Sequence, residues 1–215
     1  FINRGGTPFP RGFGKELFRY VKTMKKLRLG ADEKAWLAGK CRYFHPVYLD
    51  LLESYRFDPD EVSIAQEGGE LSITVEGYWY TSILWEVPLM ALISELYFEM
   101  TGEKENAYPE EKVHELNREK ALFFAENGIR FVDFGTRRRF SYRNHRMLIP
   151  DLMQAGEYLL GTSNVHLAHV YDLTPIGTQA HEWFQFHSAK YGFRVANQIA
   201  LERWLEVYKG DLGIA

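Results

Sequence analysis

The stretch FVDFGTRRRFS, residues 131–141, carries an apolar run through a glycine and a threonine into three consecutive arginines. Asn127-Gly128 in front of it is a helix stop, so IRFVDF (129–134) reads as a short buried strand with Arg137, Arg138 and Arg139 at its carboxyl end. A solvated loop holds such charges at little cost, but the end of a core strand holds them only where anions meet them. Arg137, first after FGT, is expected at the mouth of a site, while at least one neighbour must point elsewhere. The competing reading is a basic loop or an RNA contact, since Arg143 and Arg146 extend the cluster.

Working outward, strand and helix patterns alternate on either side of this stretch. A helical run from Tyr108 to Ala125 precedes it; IPDLMQAGEYLL (149–160) reads as a helix leading into GTSN (161–164); VHLAHVY (165–171) leads into TPIGT (174–178); AHEWFQFHSA (180–189) and a helix over 194–208 follow. Such alternation makes parallel βα units, as in part of a barrel or of an open doubly wound sheet. Towards the amino terminus the grammar differs. KELFRYVKTMKKLRL (15–29) places Leu17, Phe18, Val21, Met24 and Leu27 at helical spacing; PVYLDLLESY (46–55) is a second helix; DPDEVS (58–63) is a turn; ELSITVEGYWYTSI (70–83) alternates like a strand; and Pro88 suits the first turn of a helix running to about Met100. The expected fold is therefore α/β, an amino-terminal α+β domain over 1–104 followed over 105–215 by the first βα units of an irregular parallel α/β barrel.

Composition narrows the partners. Among 215 residues, 26 basic and 29 acidic side chains give a net charge of −3, so the molecule as a whole is not built to condense on nucleic acid or anionic lipid, and any basic site must be local. The single cysteine, Cys41, excludes an intrachain disulfide and is expected to be a buried free thiol; with no cleavable signal at the start, a reducing, cytoplasmic setting follows. WYTSILWEVPLMALISELYF (79–98) approaches membrane-spanning length, but Glu86, Pro88 and Glu95 interrupt it, and a strand running into a buried helix is the expectation. The chain starts at FINRGG without an initiator methionine and stops at DLGIA directly after a helical pattern, which reads as a piece of something longer.

In parallel βα architectures ligands gather at the carboxyl ends of the strands, here FGTRRR, GTSN and IGTQAH. Free amides, short hydroxyls, guanidinium and imidazole together make an anion site. Thr162, Ser163 and Thr178 are the hydroxyls, with helix capping as their ordinary alternative. His181 lies where a neutral imidazole can act as base or phosphoryl acceptor, with Glu182 beside it to orient the ring or simply to favour a helix's first turn. His166 and His169, at i, i+3, lack the further ligands zinc needs, and no metal site is expected of them.

Taken jointly, FVDFGTRRRFS, GTSNVHLAHVYDLTPIGTQAHEWFQ and, upstream, LWEVPLMALISELYF closely resemble nicotinate phosphoribosyltransferases. The resemblance spans nearly the whole chain in consistent order, over about half of a typical member. It implies formation of nicotinate mononucleotide and pyrophosphate from nicotinate and phosphoribosyl pyrophosphate, with coupled ATP hydrolysis and Mg2+, in a cytoplasmic homodimer with shared active sites and with neither nucleic acid nor membrane as partner. By likeness Phe134 would stack on the pyridine ring, Arg137 would lie at the nicotinate site with Thr162 and Ser163 nearby, Thr178 would contact the carboxylate, and His181 would take a phosphoryl group from ATP. Ser163 stands where nicotinamide-using relatives carry an aspartate, which would repel an acid. The family's amino-terminal tyrosine-bearing segment and its later strands, with an acidic residue, a second arginine and a phosphate loop, have no counterpart here, so the 215 residues by themselves are expected to lack turnover.

Overall fold

The computed structural model describes residues 6–102 and 109–211. In the amino-terminal region, α1 (Phe13–Met24) buries Phe13, Leu17, Val21 and Met24, spaced so that one helical face meets the core. The sequence pattern carried this helix to Leu29, but the chain turns at Lys25 and leaves Leu27 54% exposed. α2 (Ala31–Lys40) was not anticipated; its start is tied by the Glu33 carboxylate, which accepts from the Gly30 amide at 2.7 Å. α3 (Pro46–Ser54) follows as expected, with proline in its first turn. Leu37, Cys41 and Leu49 form a small core between α2 and α3. Cys41 is a buried free thiol there, and burial pushes its pKa up.

The anticipated single strand is the second arm of a hairpin. β1 (Val62–Glu67) pairs antiparallel with β2 (Glu70–Val75) across Gly68-Gly69. Alternation past Val75 did not continue the strand: residues 79–82 form a helical turn, α4 (Trp79–Ser82), and a 3-10 turn over 83–85 leads into α5 (Glu86–Thr101). Trp85, 1% exposed, donates from Nε1 to Glu61 Oε2 at 2.8 Å, anchoring this turn to the base of the hairpin. The hairpin's Val62, Leu71 and Ile73, the buried face of α1, and Leu89, Ile93 and Leu96 of α5 make one continuous core. Trp79–Thr101 is long and apolar enough to cross a membrane by length and composition. Its Trp85, Leu89, Ile93 and Leu96 nevertheless belong to this core, and its Glu86 and Glu95 hold arginines of the later chain.

In the second region, α6 (Glu110–Glu126) ends at Gly128, whose φ of 65° only glycine adopts freely, and β3 (Phe131–Asp133) follows. The arginine run is one 3-10 turn over Thr136–Arg138. The pattern read as a helix over 149–160 is divided differently: α7 (Tyr142–Leu152), capped by the Ser141 hydroxyl, gives way to a 3-10 segment, and the final Leu-Leu opens β4 (Leu159–Thr162). Gly156, at φ 60° and ψ −129°, breaks the helical path between them. β4 runs parallel to β3, pairing Asp133 with Thr162, and α8 (Val165–Tyr171) returns the chain so that Pro175 bridges Thr162 in parallel on its other side. α9 (His181–Tyr191) and α10 (Phe193–Tyr208) close the described chain.

Gly161 is where this small parallel array is tightest. A Cβ there would collide with the Thr174 carbonyl oxygen and lie 3.0 Å from Ile176 Cδ1. The crossover strand can approach β4 this closely only because residue 161 has no side chain. Contacts also run between the regions: Phe98 of α5 lies on Phe140 at 4.5 Å, Trp36 on His169 at 5.0 Å, and Lys40 Nζ meets Asp172 at 2.7 Å.

Candidate active site

Three neighbouring segments end side by side. The Ser163 amide donates to the Asp133 carbonyl at 2.8 Å; the Thr162 amide donates to Thr174 at 3.1 Å; the Ile176 amide donates to Thr162 at 3.0 Å. This ladder puts the residues that follow each end, Phe134-Gly135, Ser163-Asn164 and Gly177-Thr178, at one edge of the array. It is the edge at which parallel βα units collect ligands.

Beneath that edge lies a polar cluster that sequence reasoning missed. Asp133, His145 and Thr162 are all buried, the last at 0% exposure. Asp133 Oδ2 is 2.7 Å from His145 Nε2 and accepts from the Thr162 hydroxyl at 2.6 Å, while Oδ1 accepts from the Gly135 amide at 2.9 Å. Burial alone would push this carboxyl up; the bonds from His145, Thr162 and Gly135 outweigh it and hold Asp133 below the ordinary carboxylate range. A carboxylate only accepts, so the imidazole nitrogen facing it carries a hydrogen. His145 Nδ1 on the far side of the ring is buried with no hydrogen-bond partner among the described residues. The available signal was a carboxylate as the last residue of an apolar strand, with a histidine twelve positions on at the start of a helix.

The arginines find their anions within the chain. Arg137 contacts Glu86 Oε1 at 2.7 Å, Arg139 reaches Glu95 Oε2 at 3.4 Å with its side chain only 17% exposed, and Arg143 meets Glu110 at 2.6 Å. Glu95 Oε2 also accepts from the Tyr142 amide at 3.1 Å, so one carboxylate ties α5 to the start of α7. Arg138 is exposed.

The remaining expected residues divide. Phe134 is 49% exposed at the end of β3, Ser163 is half-buried beside it, and Thr178 is exposed. Thr162 faces inward: its hydroxyl donates to Asp133 and accepts from the Asn164 amide at 3.0 Å, which commits its one hydrogen within the chain. His181 opens α9 with its side chain 71% exposed and Nε2 at 2.9 Å from Glu182 Oε1. Glu182 and Arg137's partner Glu86 line one cleft of about 420 Å³ between β2, α4, α5 and α9, with Trp79 at its rim stacked near Trp183 and Phe186. His166 and His169 act separately, the first 3.0 Å from the Tyr142 hydroxyl and the second against Trp36. Among the described residues no group of three or more His, Cys, Asp or Glu side chains is arranged to hold a metal ion. A mainly apolar pocket of about 310 Å³ between α2, α3 and α8 includes Arg28, Glu33 and His169 in its lining, and reaches Val165 and His166 just after the end of β4.

Comparison with known proteins converges. Residues 1–94 match the sequence profile of the nicotinate phosphoribosyltransferase (NAPRTase) N-terminal domain, and residues 129–215 that of the nicotinate phosphoribosyltransferase (NAPRTase) family. The chain is 50% identical to a nicotinate phosphoribosyltransferase of Desulforapulum autotrophicum and 47% identical to one of Chromohalobacter salexigens, in each case over all of this chain and 55% of the relative. The crystal structure of nicotinate phosphoribosyltransferase from Porphyromonas gingivalis superposes with a TM-score of 0.91 at 42% identity, covering 99% of this chain and 54% of that one. A putative nicotinate phosphoribosyltransferase from Saccharomyces cerevisiae gives 0.86 at 29% identity, covering 97% and 54%. The chain thus spans about half the length of the relatives it matches.

Proposed function

The chain belongs to the nicotinate phosphoribosyltransferase family, and from that premise we propose that it supplies the base-binding half of an enzyme that joins nicotinate to phosphoribosyl pyrophosphate, releasing pyrophosphate with coupled ATP hydrolysis. The observation that supports this reading is the side-by-side ending of β3, β4 and the Pro175 segment, after which Phe134, Ser163 and, three residues past Pro175, Thr178 follow in the chain. A flat pyridine ring suits the exposed face of Phe134, and its carboxylate suits the Thr178 hydroxyl and Arg137 guanidinium. Arg137 is held by Glu86, so the nicotinate carboxylate binds by sharing that guanidinium or displacing Glu86 from it. Ser163 adds no charge to repel the acid.

Transfer leaves positive charge on the ribose anomeric carbon as pyrophosphate departs, and the ring nitrogen attacks from the opposite face. The chain's contribution is to hold the ring in line. His181 stands at the start of α9 with Nε2 engaged by Glu182, so the imidazole is oriented and its exposed side is open to ATP; phosphorylation there would couple hydrolysis to donor binding. Magnesium would enter with the polyphosphates of ATP and phosphoribosyl pyrophosphate, whose charge it offsets. The RNA reading draws less support, since Arg139 and Arg143, two further members of the basic cluster, are already paired with Glu95 and Glu110.

The test is incubation of the protein expressed from its complete reading frame with nicotinate, phosphoribosyl pyrophosphate and magnesium ATP, with nicotinamide and quinolinate as competitors. Nicotinate mononucleotide formation that neither competitor suppresses is expected. Absence of product at saturating substrates would overturn the reading.

A further inference from the structure

From the buried cluster beneath the strand ends we infer that Asp133, His145 and Thr162 are positioning residues that set the pose of the nicotinate-binding turns; this deepens the proposed function and rests on it. One carboxylate touches both turns. Through Oδ1 it fixes the Gly135 amide, and with it the turn that displays Phe134; through Oδ2 it holds Thr162, whose hydroxyl in turn fixes the Asn164 amide on the far side of Ser163. The Asp133 carbonyl takes the Ser163 amide directly. Ser163 is thus bracketed on both sides by groups bonded to Asp133 or Thr162, and Asn164 carries the same tie into α8 by accepting from the Leu167 amide at 2.9 Å.

His145 completes the device from a third element, α7. Its ring packs under Gly135, where an added Cβ would lie 3.0 Å from Asp133 Oδ1 and 3.5 Å from His145 Nε2. Asp133 therefore cannot swing away from Thr162 without losing His145, and Phe134 and Ser163 cannot change separation without breaking a buried charge-assisted bond. Among the described residues Asp133 is the hydrogen-bond partner the ring has, at 2.7 Å through Nε2. No atom of the three needs to touch substrate. Their effect passes through the distance between the aromatic face and the serine, which is what selects a pyridine carrying a carboxylate.

The test uses the protein expressed from its complete reading frame, with Thr162→Val, Thr162→Ser and His145→Gln compared with wild type in kcat, in KM for nicotinate and for phosphoribosyl pyrophosphate, and in melting temperature. Thr162→Val is expected to raise the nicotinate KM about tenfold while leaving the phosphoribosyl pyrophosphate KM within about twofold. Thr162→Ser, which keeps the hydroxyl, should restore it, and His145→Gln should fall between them. A nicotinate KM unchanged in folded Thr162→Val, or both KM values rising together in step with lost thermal stability, would overturn the positioning role while wild-type turnover leaves the proposed function standing. Wild-type protein that forms no mononucleotide would remove both.

Discussion

Replacing Gly161 by alanine is expected to cost far more stability than a single methyl group suggests. The new Cβ would overlap the Thr174 carbonyl oxygen and press on Ile176 Cδ1 at 3.0 Å, and Thr174 is itself the acceptor of the Thr162 amide. A main-chain oxygen cannot rotate aside as a side chain can, so β4 and the crossover segment must separate by about 1 Å to reach ordinary contact. The two ladder bonds between them, at 3.1 and 3.0 Å, would then stretch beyond useful length. Each is worth about 1 kcal/mol, residual overpacking adds about 1–3 kcal/mol, and the stiffer unfolded chain returns about 0.4–1 kcal/mol, for a net loss of about 2–5 kcal/mol. Denaturant unfolding of the variant beside Gly39→Ala is the appropriate assay, because Gly39 lies within α2 with nothing within 4 Å of its Cβ position and alanine there should stabilise. If Gly161→Ala matched wild type in midpoint and slope, the close approach of the two segments would be refuted.

Removing charge from α5 tests the answer to the arginine run. Glu95→Gln should cost about 1–2 kcal/mol, since it leaves the largely buried Arg139 without its counter-charge, whereas Glu16→Gln, at a water-facing pair, should leave the denaturation midpoint in place. Asp133 has a depressed folded pKa, so its stabilisation is complete above the unfolded value of about 3.9 and is lost as pH falls through the lower folded value. The stability gap between wild type and Asp133→Asn, read from urea midpoints, should therefore close between pH 5 and strongly acidic solution; a constant gap would contradict the assignment. Cys41, buried and with its thiol pushed up, should react with iodoacetamide at neutral pH only on unfolding, and prompt labelling of the native protein would show that it is not packed as described.

What the sequence disclosed depended on whether the signal was local. α3, α6, α9 and α10 announced themselves by their residue pattern, α6 also by the Asn127-Gly128 stop, and the apolar brevity of FVD marked β3. β1 was missed because its outward positions, Ser63, Ala65 and Glu67, are too ordinary to stand out without the partner strand that makes the hairpin. Alternation through Tyr78, Trp79 and Tyr80 imitated a strand, since aromatic residues that favour strands were here placed on a helical turn beside α9. At the site, the strand-end positions of Phe134 and Ser163 and the helix-start position of His181 could be read from spacing alone. The Asp133–His145–Thr162 cluster was harder to read: a strand-end carboxylate with a histidine twelve positions on hinted at one pair, but Thr162 lies 29 residues away and joins only through the parallel register of β3 and β4. The inward turn of Thr162 beside the half-buried Ser163 is likewise a property of the pleat and the bulge in β4, not of the letters.

The glutamates of α5 have an implication for anyone dividing this molecule. A polypeptide beginning after that helix would keep Arg137 and Arg139 but lose both counter-charges, and would bare the Phe140 ring that now rests on Phe98. It would present adjacent cations around an uncovered aromatic and could not be expected to stay monodisperse. The carboxyl-terminal portion borrows the counter-charges of Arg137 and Arg139 from the portion before it.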